Sequence, residues 1–159
     1  MSMRMKEFFF DKKSVKDRVS KANRKALSKA GAFIRRRARS SLRRRKKASQ
    51  PGRPPSVHTS DRARTLKNIL FAYEPLTESL VVGPVKLNQK TLLGPDLGDT
   101  TVPQLHEFGA TVTIRKMSRG RRRKPVRVRA KYPPRPFMGP ALEAEQDHIP
   151  DAWSGNVGE

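Results

Sequence analysis

Apolar residues in the first third of the chain recur every three or four positions from Ser14 to about Lys47, which is the period of an α-helix. They are Val15, Val19, Ala22, Ala26, Ala30, Phe33, Ala38 and Leu42. Ser14 and Asp17 resemble a capping box at the start of this helix. A helix of about 33 residues is roughly 50 Å long. We therefore expect a basic N-terminal helix within residues 1–48, part of which projects or packs on another subunit.

The pattern then changes to a proline-rich stretch and to short apolar runs. Three prolines and a glycine between Ser49 and Ser56 cannot continue a helix and predict an extended linker over residues 49–60. Thr65–Tyr73 and Ser79–Val85 are rich in aliphatic and aromatic residues and flank a turn-like segment, which predicts a β-hairpin. The hairpin opens a body that we place at residues 61–150.

The second half of the body begins with a predicted loop over residues 88–101. Val102–Phe108 can form a helical turn that ends at Gly109. Thr111–Met117 and Val126–Ala130 alternate apolar with polar residues and predict a second hairpin, whose basic tip covers residues 118–124.

A last helix is predicted over residues 139–149, and Pro150 ends it. Residues 151–159 are then expected to form a flexible tail. The order of elements predicts an α+β fold with a long N-terminal basic helix, a small antiparallel sheet built from two hairpins, and a short C-terminal helix.

Charge is the strongest compositional feature of the chain. It has 36 Lys and Arg against 14 Asp and Glu, a net charge of +22. Such self-repulsion favours a polyanion or an acidic protein as partner, and contiguous basic runs suit a phosphate backbone better than base edges. A solvated charged surface is the alternative. The candidate contacts with DNA or an acidic partner are Arg35, Arg36, Arg37, Arg39, Arg43, Arg44, Arg45, Arg121, Arg122, Arg123 and Lys124.

The remaining composition narrows the class of protein. Hydrophobic residues make up 35% of the chain and cysteine is missing, so we expect a small core and no disulfide framework. No stretch approaches the ~20 apolar residues of a membrane span, and we expect a soluble protein without membrane partners. An acid-poor, Arg-rich N-terminus is also typical of an organellar transit peptide, although Glu7, Asp11 and Asp17 oppose that interpretation.

The inventory of reactive residues predicts no catalytic, cofactor or metal site. His58, His106 and His148 lie far apart, without the spacing that places two metal ligands on one helix face. No phosphate-binding loop or nucleophile elbow is present. A nuclease would need a carboxylate cluster for Mg²⁺, and the sequence offers none. We therefore expect a protein that is not an enzyme.

Five segments in order carry a resemblance to a known family. They are SQPGRPPSVH at 49–58, LKNI at 66–69, VVGPV at 81–85, VPQLHEFG at 102–109 and YPPRPFMGPALE at 132–143. Together they resemble the tail-completion, or neck, proteins of long-tailed bacteriophages. The segments at 105–109 and 135–142 are the most specific, because each combines unusual residue types in a fixed order.

The resemblance implies a virion structural protein at the head–tail junction, made in the host cytoplasm and assembled into a ring, with six-fold symmetry favoured. It also implies neighbouring neck and tail proteins as partners and no cofactor. The basic tip and the Arg-dense helix are heavier in charge than this family leads us to expect, and the charge runs themselves predict non-specific contact with DNA, with an acidic neighbouring protein, or with both. The residues assigned to assembly or packing are Leu105, Phe108, Arg135, Phe137 and Leu142. A basic nucleic-acid-associated protein of ribosomal or chromatin type is the alternative.

Overall fold

The protein is described from a computed structural model, which covers residues 11–58, 65–85, 95–96, 100–118 and 124–154. The elements in chain order are α1 (Lys12–Ser41), β1 (Ile69–Glu74), β2 (Ser79–Pro84), β3 (Pro95–Asp96), α2 (Val102–Phe108), β4 (Ala110–Met117), β5 (Pro125–Tyr132), α3 (Gly139–Gln146) and the 3₁₀ turn η1 (Pro150–Ala152). The predicted α+β class is confirmed. The predicted single sheet is wrong, because β1–β2 and β3–β4–β5 form two separate antiparallel sheets.

Helix α1 lies against its own chain over most of its length. Its buried side comprises Ala22, Ala26, Ala30, Gly31, Ile34 and Ala38, and it packs on the first hairpin, α3 and η1. Gly31 permits the closest approach, since a Cβ there would lie 2.7 Å from a methyl carbon of Leu80. Val15 and Val19 are exposed, so only the first turns of α1 extend beyond the body.

Both predicted ends of α1 need correction. Asp11 caps the helix, because its side chain accepts hydrogen bonds from the backbone N–H groups of Lys13 and Ser14 at 3.1 Å each. The helix ends at Ser41 rather than near Lys47, and the next residue, Leu42, is extended and fully buried. The burial of Leu42 turns the chain back into the core, so the basic run that follows is not helical.

The predicted linker contributes buried residues to the core, although residues 50–53 are exposed. Pro55 and Val57 are buried, and the N–H of Val57 donates to the carbonyl of Arg43 at 3.1 Å. The N–H of Gly52 donates to the carbonyl of Pro134 at 2.9 Å. Residues 49–58 therefore join α1 to the C-terminal part of the body and do not separate two units.

Two apolar clusters hold the elements together. The larger joins α1, the loop after it, β1 and α3 around Phe137, which is 1% exposed. Its buried members are Ala38, Leu42, Val57, Leu66, Ile69, Phe137 and Ala141. The smaller cluster packs Leu105 of α2 on Val112 and Ile114 of β4. The core is small, as expected, and α1 depends on it because Ala and Val bury little area per turn.

The C-terminal segment starts ordered rather than as a free tail. Helix α3 ends at Gln146, and Ala152 of η1 is buried against the body. The indole Nε1–H of Trp153 donates to Asn23 of α1 at 2.8 Å. The predicted tail is therefore wrong for residues 151–153, and residues 155–159 lie outside the described part of the chain.

Candidate nucleic-acid interface

The exposed side of α1 carries a large share of the positive charge. Twelve of its thirty residues are Lys or Arg, and Asp17 is its one acidic residue. Because the Ala-rich stripe faces the body, the helical period places nearly all of these basic side chains in solvent. The result is a rod with a cationic outer surface, which matches a sequence-independent anionic partner.

The three consecutive arginines at 35–37 have different surroundings. The Arg35 guanidinium lies 6.0 Å from the ring centroid of Phe71, and that of Arg36 lies 5.0 Å from the ring of Phe33. Arg37 forms a short hydrogen-bonded ion pair through Nε with Glu145 of α3, whose side chain is 11% exposed. Arg37 was predicted to contact a partner. Its Nε is instead bonded to Glu145, and this contact holds α1 against α3.

The predicted contacts Arg36 and Arg39 do converge on one concavity. A shallow pocket of about 420 Å³ is lined by Ala32, Arg35, Arg36, Arg39, Ser40 and Lys67. Lys67 comes from the turn before β1, and no acidic residue contributes to the lining. Sequence reasoning missed Lys67, because nothing local in the sequence places it beside α1.

The run Arg43, Arg44 and Arg45 lies on the extended chain after α1. All three residues are exposed, and Arg44 forms a parallel bridge with Val57. Their backbone is fixed by this bridge and by the buried neighbour Leu42. Positive charge at this end of α1 also interacts favourably with the negative C-terminal end of the helix dipole. These residues therefore stabilise α1 as well as presenting charge to solvent.

The second predicted basic cluster falls mostly outside the described residues. Arg121, Arg122 and Arg123 lie there, whereas Lys124 is described and exposed. The N–H of Ser118 donates to the carbonyl of Lys124 at 2.8 Å, and the N–H of Lys124 donates to Ser118 Oγ at 3.0 Å. These two hydrogen bonds join Ser118 and Lys124, the residues at the two ends of the predicted basic tip.

The strands of this hairpin carry basic residues that the sequence analysis did not select. Arg115 of β4 is paired in register with Arg127 of β5, and Arg129 and Lys131 follow Arg127 at alternate positions. All four are exposed. The period-two alternation of basic and apolar residues in β5 was the signal that could have identified them.

The two most specific segments of the family resemblance meet at one place. The Glu107 carboxylate at the end of α2 accepts hydrogen bonds from the backbone N–H groups of Phe137, Met138 and Gly139, at 2.9, 3.1 and 2.7 Å. It thereby caps α3, whose own N-cap residue Met138 contributes no side-chain hydrogen bond. Glu107 is a structural carboxylate here, and this role was not visible from its position in the sequence.

The same junction fixes Arg135 and Gly109. The N–H of Arg135 donates to the carbonyl of His106 at 2.6 Å, and its Nε donates to the carbonyl of Ser49 at 3.0 Å. Gly109 has φ 68° and a Cβ there would lie 2.7 Å from the carbonyl oxygen of Tyr132. Only glycine fits this combination of conformation and contact.

His106 is the titratable group most affected by this junction. Burial lowers its pKa from 6.5, and the positive charge of Arg135 lowers the pKa further. The neutral imidazole is therefore favoured in the folded protein. This points to a packing role for His106, because the neighbouring Glu107 carboxylate is already used in capping α3.

The five residues assigned to assembly or packing separate into buried and exposed groups. Leu105 and Phe137 are core residues, and Arg135 bridges backbone segments. Phe108 is 76% exposed and Leu142 is 48% exposed. Phe108 borders a pocket of about 410 Å³ that is also lined by Met138. Phe108 and Leu142 are thus available for contact with another molecule.

The described residues contain no group of three or more His, Cys, Asp or Glu side chains that could hold a metal ion. Within the same part of the chain, the helices are too short or too polar to cross a membrane.

Comparison of the chain with protein-family models, with curated protein sequences and with solved structures finds no match. The resemblance to phage neck proteins stays a prediction from the five sequence segments.

Proposed function

We propose that this protein is a structural subunit of a tailed-bacteriophage head–tail junction, which assembles into a ring and presents its basic surface to DNA or to an acidic neighbouring protein. The observation that carries the proposal is the outer surface of α1, where basic side chains line an ordered rod and Arg37 is paired internally with Glu145. Charge that is not neutralised within the subunit needs an anionic partner or open solvent.

The contacts of the family-like segments support a structural role. Leu105 and Phe137 fill the core, and Glu107 links α2 to the start of α3. These segments therefore build a rigid joint. Beside this joint, Phe108 and Leu142 expose apolar surface, which suits a contact between neighbouring subunits.

A closed ring fits both the apolar and the charged surfaces. When head-to-tail contacts close into a ring, each copy makes both halves of the contact, so no copy leaves a contact surface uncovered. Repulsion between copies that each carry +22 is tolerable where the basic surfaces face an anionic partner or solvent rather than one another. The resemblance favours six subunits, which would match the symmetry of a phage tail.

A nucleic-acid-associated protein of ribosomal or chromatin type is the second candidate, because its defining feature would be the same basic rod. The two candidates differ in what accompanies the purified chain. A neck subunit should form a defined ring, whereas a ribosomal-type protein should remain monomeric and follow RNA.

The test is to purify the full chain and to examine its mass and shape by native mass measurement and electron microscopy. We expect closed rings, alone or after addition of phage particles that lack this subunit. Phe108→Ser should impair ring formation, and Leu76→Ser is the matched control because Leu76 is 93% exposed on the β1–β2 turn. A chain that stays monomeric in both settings and co-purifies with RNA would refute the proposal.

Binding to DNA is tested separately with two duplexes of unrelated sequence. If six to ten phosphates are contacted, affinity should fall by roughly 10³–10⁵ between about 50 and 200 mM salt. Strong preference for one duplex, or affinity that is constant over this range, would contradict backbone contact.

A further inference from the structure

One face of the second hairpin carries four basic residues. The register pairs Arg115 with Arg127, Thr113 with Arg129 and Thr111 with Lys131. Residues paired directly opposite each other in adjacent strands project from the same side of the sheet. Arg115, Arg127, Arg129 and Lys131 therefore share one side, which we call the cationic hairpin face.

The other side of the hairpin explains why this face is free. Val112 and Ile114 are buried there with Leu105 of α2, and Ala130 packs against them. The side chains of the cationic hairpin face project away from this cluster, and all four residues are exposed. These four side chains are therefore accessible to solvent or to a partner.

The arrangement costs stability in the isolated chain. Like charges directly opposite each other on neighbouring strands are destabilising, and Arg115 and Arg127 are such a pair. Neither β4 nor β5 contains an acidic residue, and the one acidic residue in the described strands of this sheet is Asp96 of β3, which pairs with Thr113.

Protection of a sheet edge does not account for the whole arrangement. Basic side chains on an edge strand do prevent aggregation, and β5 is an edge strand. However, Arg115 lies on β4, which pairs with β5 over its whole length and with β3 at Thr113 and Ile114, so Arg115 is not part of the free edge of β5.

We infer that the cationic hairpin face binds the phosphate backbone of duplex nucleic acid. This deepens the proposed function, on which it rests, by naming a second contact besides α1. Side chains two residues apart on a strand are about 6.8 Å apart, twice the axial spacing of about 3.4 Å between phosphates on one DNA strand.

The experiment measures binding of the full chain to a duplex of about 25 base pairs by fluorescence anisotropy over a salt series. Arg127→Gln combined with Arg129→Gln should reduce the slope of log affinity against log salt by up to about 1.8, or about 0.9 for each lost phosphate contact. The control is Arg53→Gln combined with Lys116→Gln, which removes the same charge from exposed positions outside both α1 and the cationic hairpin face. The control should change the slope less.

A second variant guards against loss of folding or solubility in the first. Arg115→Gln removes the repulsion with Arg127, so its melting temperature should equal or exceed that of the wild type while the slope falls by about 0.9. Arg127→Lys with Arg129→Lys should retain the wild-type slope, because a phosphate contact needs the charge.

Each contrary result overturns the inference. Equal slopes for the hairpin variant, the control and the wild type would remove the hairpin from the interface without affecting the proposal that α1 contacts DNA. Aggregation of the Gln variants with unchanged DNA binding would assign the charges to edge protection. Wild-type protein that forms rings but binds no duplex would refute the inference without refuting the ring, and selective binding to an acidic protein would do the same.

Discussion

Replacement of Glu107 tests whether the joint between α2 and α3 depends on one carboxylate. Its oxygens accept from three backbone N–H groups at the start of α3. Hydrogen bonds to charged groups contribute about 1.5–3 kcal/mol each, but they are not additive, and loss of a single N-cap costs about 0.5–2 kcal/mol.

The expected cost of Glu107→Ala follows from the exposure of this site. Glu107 borders an open pocket, so water can reach donors that lose their acceptor. We expect a loss of about 2–4 kcal/mol in the free energy of unfolding, which for a chain of this size lowers the melting temperature by roughly 4–16 °C. Glu107→Gln keeps one acceptor oxygen and loses the charge, so it should cost about 1–2 kcal/mol.

The assay is urea unfolding followed by circular dichroism, with the midpoint compared at an unchanged slope. Glu143→Gln is the control, because it removes the same charge from the exposed side of α3. If both Glu107 variants unfold at the same urea concentration as the Glu143 control, then Glu107 does not hold α3, and the capping argument fails.

Three further predictions concern packing and pH. Phe137→Ala should cost about 3–5 kcal/mol by urea unfolding, whereas Phe108→Ala should stay within about 0.5 kcal/mol in the monomer; equal losses would contradict their opposite burial. Gly31→Val should cost about 1–3 kcal/mol in the same assay, because even its Cβ would lie 2.7 Å from a methyl group of the first hairpin. Because its folded pKa is lowered from 6.5, His106 contributes stability that is present above about pH 6.5 and is lost as pH falls towards the folded pKa. His106→Gln should flatten that part of the melting-temperature profile and exposed His148→Gln should not, so a profile unaltered by His106→Gln would refute this assignment.

Glu107 joins two segments of the chain whose contacting residues are 30 to 32 positions apart. Residues 102–109 and 132–143 meet there because its carboxylate accepts three hydrogen bonds from backbone N–H groups at the start of α3. The carboxylate, Gly109 and the backbone before α3 must therefore fit together in the folded protein.

Local pattern was sufficient where the structure depends on local periodicity. The stripe of Ala22, Ala26, Ala30 and Ala38 predicted the buried side of α1, and the alternation around Val112 and Ile114 predicted a strand. The helix over Val102–Phe108 was predicted with its end at Gly109. These features follow from repeats of 3.6 and 2 residues, which the sequence displays directly.

Contacts between distant residues decided the rest. The end of α1 depends on Leu42 entering a core that also contains Phe137, and Val57 of the predicted linker joins that same core. Glu107 and the cationic hairpin face depend on which segments become neighbours and on strand register. The sequence by itself determined the helical and strand periods and the excess of positive charge. Only the tertiary structure decided which charges are paired, which face outward and which carboxylate caps a helix, because hydrogen bonds and burial are set by proximity in space.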